Sequence, residues 1–191
     1  MITSQKHITT RIVVLIWSFL SITFLFHNSL FAQTIVDEWN SVKTPPVPEL
    51  KPVTLNPSTT ALLMLDFNKQ SCNVERRPRC IASIPIVSKL LKEARSKGVK
   101  VIYSLSFGAT IADIAKDLAP SEGEPAVTSG PDKFLGTDLE KVLREKGVKT
   151  VIVTGTVANG AVLYTASGAA LRGMRVIIPV DGMSAESTYA E

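Results

Sequence analysis

The chain has 191 residues, of which 45% are hydrophobic and 20% charged, a composition typical of one globular domain with its own core. The formal net charge of +4 falls to +2 when Lys6 and Arg11 of the N-terminal segment are set aside. The remaining basic residues are scattered among acidic ones, so the sequence gives no sign of a nucleic-acid partner.

The first 32 residues have the pattern of an export signal. Lys6 and Arg11 precede an apolar run from Ile12 to Phe26, and a cleavage point follows Ala32. The run has 15 residues, fewer than the roughly 20 that a membrane-spanning helix needs. We therefore expect an exported protein, periplasmic or secreted. The alternative is an uncleaved membrane anchor, because the bulky Leu30 stands close to the cut.

The distribution of histidine limits the chemistry. Both histidines, His7 and His27, lie in the export signal, so the mature chain has none. This excludes a Ser-His-Asp triad, a Cys-His pair and a histidine-ligated zinc site. The mature chain also lacks an acidic cluster, a phosphate-binding loop and a dinucleotide motif, and we expect neither a metal nor a cofactor.

After the signal, residues 33–58 form a polar arm or linker, and residues 59–191 form the domain. The arm is marked by five prolines, Pro45, Pro46, Pro48, Pro52 and Pro57. The apolar run from Ala61 to Leu65 is followed by Asp66, the pattern of a buried parallel strand with a carboxylate at its carboxyl end.

Cys72 and Cys80 enclose a short loop, and in an oxidising compartment this spacing favours a disulfide. Two alternatives stay open: free inert thiols, or Cys72 as a nucleophile six residues after Asp66. The same region carries the one local cluster of basic residues, Arg76, Arg77 and Arg79. An exposed basic loop is the preferred interpretation of this cluster, and attraction of an anionic substrate is the alternative.

Helices and strands alternate through the rest of the domain. Apolar residues at spacings of three and four predict a helix over 84–97, and a strand follows over 99–105. A loop with one helical turn is predicted up to Gly130. The sequence from Thr137 to Glu140 has the form of a capping box that opens a second helix, which Gly147 ends.

A last strand-helix-strand unit is predicted from strands over 150–154 and 175–180, with a helix from about Asn159 to Arg172 between them. The alternation predicts an α/β fold with three α/β/α layers around a doubly wound, mainly parallel sheet. Ligands of such sheets lie beyond the carboxyl ends of the strands, so residues 155–161 should border the binding crevice. This stretch contains no nucleophile.

Three motifs make the chain from about Thr59 onward resemble the isochorismatase-like cysteine hydrolases. The first is Leu-Met-Leu-Asp66-Phe-Asn, and the second is Ser-Gly-Pro-Asp-Lys133-Phe. The third, Gly155-Thr-Val-Ala-Asn-Gly-Ala161-Val-Leu-Tyr-Thr165, is similar to the family pattern Gly-x-x-x-x-x-Cys-Val-x-x-Thr. The position of the nucleophilic cysteine is therefore occupied by Ala161.

The resemblance implies roles for these residues. Asp66 and Lys133 are the expected catalytic residues, and oxyanion-binding amides are expected at Ala161 and the turn before it, with a cis peptide around Thr156-Val157. The family's habit of forming dimers and tetramers implies a homo-oligomer. Its domains also continue with a further helix and strand, so we expect this chain to be truncated or unusually short. Contacts to a small-molecule substrate are expected from Phe67, Phe107, Thr156, Val157 and Asn159.

Three hypotheses follow from Ala161. In the first, the chain is a cysteine-independent hydrolase in which Asp66 acts as acid or base and Lys133 positions an anionic substrate. This hypothesis is based on the true isochorismatases, which resemble the chain and have glycine at the cysteine position. They cleave a vinyl ether, a reaction that needs no thiol. In the second, the protein is an inactive relative that binds small molecules or has a structural role. In the third, an inactivating change has replaced a natural cysteine.

Overall fold

The computed structural model describes residues 34–191, so the expected export signal lies outside the described residues. The chain divides into two compact units, residues 1–51 and residues 52–191. In the described part of the first unit, helix α1 (Ile35–Glu38) and a 3-10 turn (Trp39–Ser41) are followed by exposed residues without regular structure. Among the residues described, no helix is both long enough and apolar enough to cross a membrane.

The second unit is built on a six-stranded sheet. Its strands are β1 (Thr60–Leu65), β2 (Lys100–Leu105), β3 (Ala126–Thr128), β4 (Thr150–Thr156), β5 (Arg175–Ile177) and β6 (Met183–Ser184). The strand order is β3-β2-β1-β4-β5, and β6 also pairs with β4. All five pairings between these strands are parallel, which confirms the predicted sheet.

Helices cover both faces of the sheet. They are α2 (Pro78–Ser96), α3 (Leu139–Glu145) and α4 (Leu163–Leu171). Successive side chains of a strand point to opposite faces, so Leu62 and Met64 of β1 pack in one core with Leu91 of α2. Leu63 packs in the other core with Leu139 of α3, and α4 joins that side. The three α/β/α layers are confirmed.

Two helix starts differ from the prediction. Helix α2 begins at Pro78, not at residue 84, because proline is well accommodated in the first turn, where its missing N–H costs no hydrogen bond. The predicted capping box at Thr137 is wrong. Asp138 is the N-cap of α3 without a side-chain cap, and Glu140 bonds to Arg144 and Arg172 instead.

The region after β2 is more structured than predicted. It contains two 3-10 turns, Ile111–Asp113 and Lys116–Leu118, and the edge strand β3, which was not predicted. Three residues are too few to establish a periodicity in the sequence. Strand β5 ends at Ile177, three residues earlier than predicted, because Pro179 lacks the N–H that a strand needs.

Strands β1 and β4 approach closely at the point where the strand order of the sheet reverses. Gly155 of β4 pairs with Leu65 of β1 and has φ 136°. A Cβ atom at Gly155 would lie 2.2 Å from the carbonyl oxygen of Leu65. Glycine is therefore required at this position, one residue away from Asp66 on the neighbouring strand.

Replacing Gly155 by alanine should separate β1 from β4. We expect the free energy of unfolding, measured in urea, to fall by at least about 3 kcal/mol, because backbone atoms have to move. Gly98→Ala is the matched control, since Gly98 also has positive φ but has open space around it. The control should lose only about 1–2 kcal/mol from backbone strain. Equal losses in the two variants would contradict the close approach.

Candidate active site

Asp66 is the first residue after β1 and has an unusual backbone conformation. Its φ of 55° is the only positive value among the described residues other than glycine. Its N–H donates to the carbonyl oxygen of Ser104 on β2 at 3.2 Å. Aspartate tolerates this left-handed conformation better than most residues, and such conformations concentrate at functional sites.

The carboxylate of Asp66 forms a buried ion pair with Lys133. Lys133 Nζ lies 2.7 Å from Asp66 Oδ2, and the two residues are 1% and 6% exposed. The hydroxyl of Ser104 donates to Asp66 Oδ1 at 2.8 Å. Lys133 Nζ also donates to the carbonyl oxygen of Ser129 at 3.2 Å. Both charged groups are therefore paired and hydrogen-bonded, as burial requires.

The loop that carries Lys133 is tied to helix α4. The N–H of Lys133 donates to Thr165 Oγ1, and this hydroxyl donates to the carbonyl oxygen of Pro131, each at 3.3 Å. The hydroxyl of Thr137 donates to the carbonyl oxygen of Lys133 at 2.5 Å. Thr165, a residue of the third motif, thus holds the lysine of the second motif in position.

A π-helical turn, Ala158–Val162, connects β4 to α4. The Thr156-Val157 peptide is cis, as the family resemblance implies. The N–H groups of Gly160 and Val162 both donate to the carbonyl oxygen of Val157, so these two amides are already engaged. The buried methyl group of Ala161 lies between them in the chain and faces the cavity described next.

A cavity of about 210 Å³ opens beside this turn. It is lined by five of the predicted site residues, Asp66, Phe107, Thr156, Val157 and Ala161, and by Gly160 beside them. Lys133 lies behind Asp66 and does not line the cavity. The structure thus brings Asp66, Lys133 and Ala161 to one place, at the carboxyl ends of β1 and β4.

Two predicted substrate contacts have to be corrected. Phe67 is 1% exposed and packs with Leu62 and Met64 in the core under α2, because the left-handed Asp66 ends the alternation of β1. Asn159 is exposed on the outer side of the π-helical turn. Neither residue lines the cavity.

The structure resolves the alternatives for the cysteines and for the basic cluster. Cys72 and Cys80 are joined in a disulfide, so Cys72 is not a substitute nucleophile. Arg76 is exposed as expected for a basic loop, but the side chain of Arg77 is only 14% exposed and lines the cavity. No group of three His, Cys, Asp or Glu side chains suited to a metal ion occurs within residues 34–191.

Three polar residues of the site were missed by the sequence analysis. Ser104 supports the ion pair, while Ser71 and Ser106 line the cavity beside Arg77. Ser129, the first residue of the second motif, also supports the pair. Serine is common in loops and strand ends, so it carries no signal of its own. Only Arg77 had a signal, its place in the basic cluster.

The parallel sheet, the buried Asp-Lys pair and the turn at Ala161 define the class of an isochorismatase-like α/β fold. The model of the isochorismatase domain matches residues 60–191, and the chain belongs to this family. A solved cysteine hydrolase from Pseudomonas syringae pv. phaseolicola 1448A is 26% identical, with TM-score 0.65 over 72% of this chain and 78% of that one. An isochorismatase-like hydrolase from Alkaliphilus metalliredigens, 24% identical with TM-score 0.65 over 69% and 78%, shows the same fold.

Two curated relatives are each 31% identical to the chain. One is the secreted isochorismatase effector Isc1 of Verticillium dahliae (strain VdLs.17), matched over 53% of this chain and 60% of its own length. The other is the N-carbamoylsarcosine amidase of an Arthrobacter species, matched over 50% of this chain and 47% of its own length. The chain thus spans about half the length of the curated relatives it matches.

The ion pair should show strong energetic coupling. Lys133→Met leaves a buried carboxylate without its partner and should cost about 3–5 kcal/mol of unfolding free energy. The double variant Asp66→Asn/Lys133→Met should cost clearly less than the sum of the single changes. Lys97→Met, which removes one partner of the exposed Lys97–Glu93 pair, should have a far smaller effect. Additive costs in urea unfolding would contradict the buried pair.

Proposed function

We propose that the chain is a cysteine-independent hydrolase of a small molecule, and that Asp66 and Lys133 carry its acid-base chemistry. The observation that carries this proposal is the intact ion pair, 2.7 Å from Nζ to Oδ2, at a cavity where Ala161 replaces the family nucleophile. Only Asp66 of the pair lines the cavity, so Asp66 is the group that meets the substrate. Lys133 does not reach the substrate; its ammonium group fixes the position of the Asp66 side chain and stabilises its negative charge.

Amide hydrolysis through a covalent intermediate does not fit this site. The route needs an attacking atom at position 161, and the methyl group of Ala161 supplies none. Loss of such a nucleophile costs on the order of 10⁶-fold in rate, or about 8 kcal/mol of activation free energy. The disulfide between Cys72 and Cys80 also removes both thiols of the chain from the reaction.

Hydrolysis of an enol ether needs no attacking side chain. A proton passes from Asp66 to the terminal enol carbon, and the resulting oxocarbenium ion takes up one water. The proton that this water releases returns to Asp66, and the hemiketal then collapses to a ketone and an alcohol. In the structure both oxygens of Asp66 accept hydrogen bonds, from Ser104 and from Lys133. Asp66 therefore takes up a proton before the first turnover, and the water restores that proton in each turnover.

Two observations support a role outside the cytoplasm. One curated relative is named a secreted isochorismatase, and the first 32 residues of this chain have the pattern of an export signal. We place the protein in the periplasm or outside the cell, where the Cys72–Cys80 disulfide is stable.

A small-molecule-binding protein without activity is the second candidate. The replacement of the nucleophile by Ala161 favours it, because the cavity and its supports persist without the attacking atom. Both candidates bind a small molecule in the cavity, but only the hydrolase converts it. A test of turnover therefore separates them.

Isochorismate, the enol ether for which the family is named, is the first substrate to test. The protein should release pyruvate from it, and Asp66→Asn should lower the rate at least about 100-fold, because the proton donor is lost. Pyruvate is followed by a coupled NADH assay. Asp138→Asn is the matched control, since Asp138 is exposed and lies away from the cavity, and its rate should be unchanged.

The outcomes separate the candidates. Binding of isochorismate without turnover, by this compound and by a panel of simpler enol ethers, would refute the enzyme and support the binding protein. Equal rates in the protein and in Asp66→Asn would show that Asp66 is not the proton donor.

A further inference from the structure

One wall of the cavity is polar, and the proposed reaction does not use it. This polar wall consists of Ser71, Arg77 and Ser106. The hydroxyl of Ser71 donates to Ser106 Oγ at 3.2 Å, and Ser106 Oγ donates to Asn68 Oδ1 at 2.9 Å. Arg77 Nη1 donates to the carbonyl oxygen of Ser71 at 3.0 Å. The wall is thus one connected group of side chains.

One donor of this wall lacks an acceptor. Arg77 Nε is buried and has no hydrogen-bond partner among the described residues. Asn68 Nδ2 is also unpaired, but Asn68 is fully buried and does not line the cavity. Buried N–H groups are nearly always paired with an acceptor, so the unpaired Arg77 Nε indicates that an acceptor belongs in the cavity. An anionic group of a bound ligand would accept hydrogen bonds from the guanidinium of Arg77 and from the serine hydroxyls of the polar wall.

Among the charged groups at the cavity, one positive charge, that of Arg77, is not neutralised by a buried partner and can pair with a ligand. Asp66 and Lys133 neutralise each other at 2.7 Å. Within residues 34–191 the acidic partner of Arg77 is Glu186, 3.6 Å from Arg77 Nη2. The side chain of Glu186 is 63% exposed, so solvent screens this ion pair. A single excess positive charge with the planar fork of a guanidinium matches a carboxylate better than a phosphate dianion.

The disulfide fixes Arg77 in this place. Cys72 and Cys80 are buried in the core under α2, at the two ends of the segment that contains Arg77. Within the segment, the N–H of Arg77 donates to the carbonyl oxygen of Asn73 at 2.9 Å. The arginine is therefore held by a covalent loop, and little side-chain and backbone freedom remains to be lost when it binds a ligand.

We propose that the polar wall binds the carboxylate of the substrate, with Arg77 as the specificity-determining residue and the Cys72–Cys80 disulfide as its support. The proposal rests on the proposed function for the position of the reacting carbon at Asp66, while the carboxylate site requires only that the cavity receives a small molecule. It names the substrate class as small carboxylic acids, with the carboxylate at Arg77 and the reacting enol carbon at Asp66 across the same cavity.

Binding of a matched pair of unreactive probes tests the proposal separately from turnover. The probes are cyclohexyloxypropanoate, a saturated ether with a carboxylate, and its neutral amide of nearly the same shape. Calorimetry should show the carboxylate bound more tightly than the amide. Arg77→Gln should weaken carboxylate binding by about 10- to 100-fold and change amide binding by less than about threefold. Arg76→Gln removes the same charge from an exposed neighbour and should change neither.

Each outcome is decisive for the proposal. Equal affinity for carboxylate and amide, or equal losses in Arg77→Gln and Arg76→Gln, would overturn it. Displacement of the carboxylate by equimolar inorganic phosphate would overturn the choice of a carboxylate. The protein could also prefer the carboxylate through Arg77 and yet show no turnover. That result would support this proposal and refute only the proposed hydrolase activity.

The support by the disulfide has its own test. The chain has two cysteines, both in this bond, so dithiothreitol acts at one place. Reduction should lower carboxylate affinity toward that of Arg77→Gln while circular dichroism shows the sheet retained. If the reduced, folded protein binds as tightly as the oxidised one, the disulfide does not position Arg77. Arg77→Lys, which keeps the charge without the fork, should bind with intermediate affinity.

Discussion

The ion pair between Asp66 and Lys133 is the interaction on which the rest of the site depends. Its two charges are buried, so each needs further partners, and the residues that hold the pair come from three other parts of the chain. Ser104 belongs to β2, Ser129 precedes Lys133 in its loop, and Thr165 lies on α4. The pair therefore joins the centre of the sheet to the loop of Lys133 and to α4.

The absence of an attacking atom changes which reactions the cavity can support. The family scaffold is present from the cis peptide to the π-helical turn, while Ala161 offers only a methyl group. A reaction that begins with proton transfer to the substrate is still possible in this cavity. It requires only that Asp66 contacts the reacting carbon. Arg77 adds the means to select an acidic substrate. In the function that we propose, Asp66 is the acid catalyst and Arg77 holds the carboxylate of the substrate, in place of a covalent mechanism.

The central parts of the fold and site could be predicted from sequence, because they carry strong local patterns. The apolar run before Asp66 and the motif around Ala161 placed both residues at strand ends, and the resemblance supplied Lys133. Other features depend on tertiary geometry. Phe67 turns into the core because Asp66 is left-handed, and Arg77 reaches the cavity because a disulfide folds its loop back. Strand β3, with three residues, is too short to leave a pattern.

We infer that position 161 alone separates this site from that of a covalent hydrolase. The most direct measurement compares the acylation rate of the new thiol in Ala161→Cys with that in Ala161→Cys/Asp66→Asn, using p-nitrophenyl acetate as an activated ester. If the ion pair is still arranged to activate a nucleophile, the thiol beside intact Asp66 should react at least about 100-fold faster. Equal rates in the two folded variants would contradict the claim, because Asp66 and Lys133 would then no longer act on position 161.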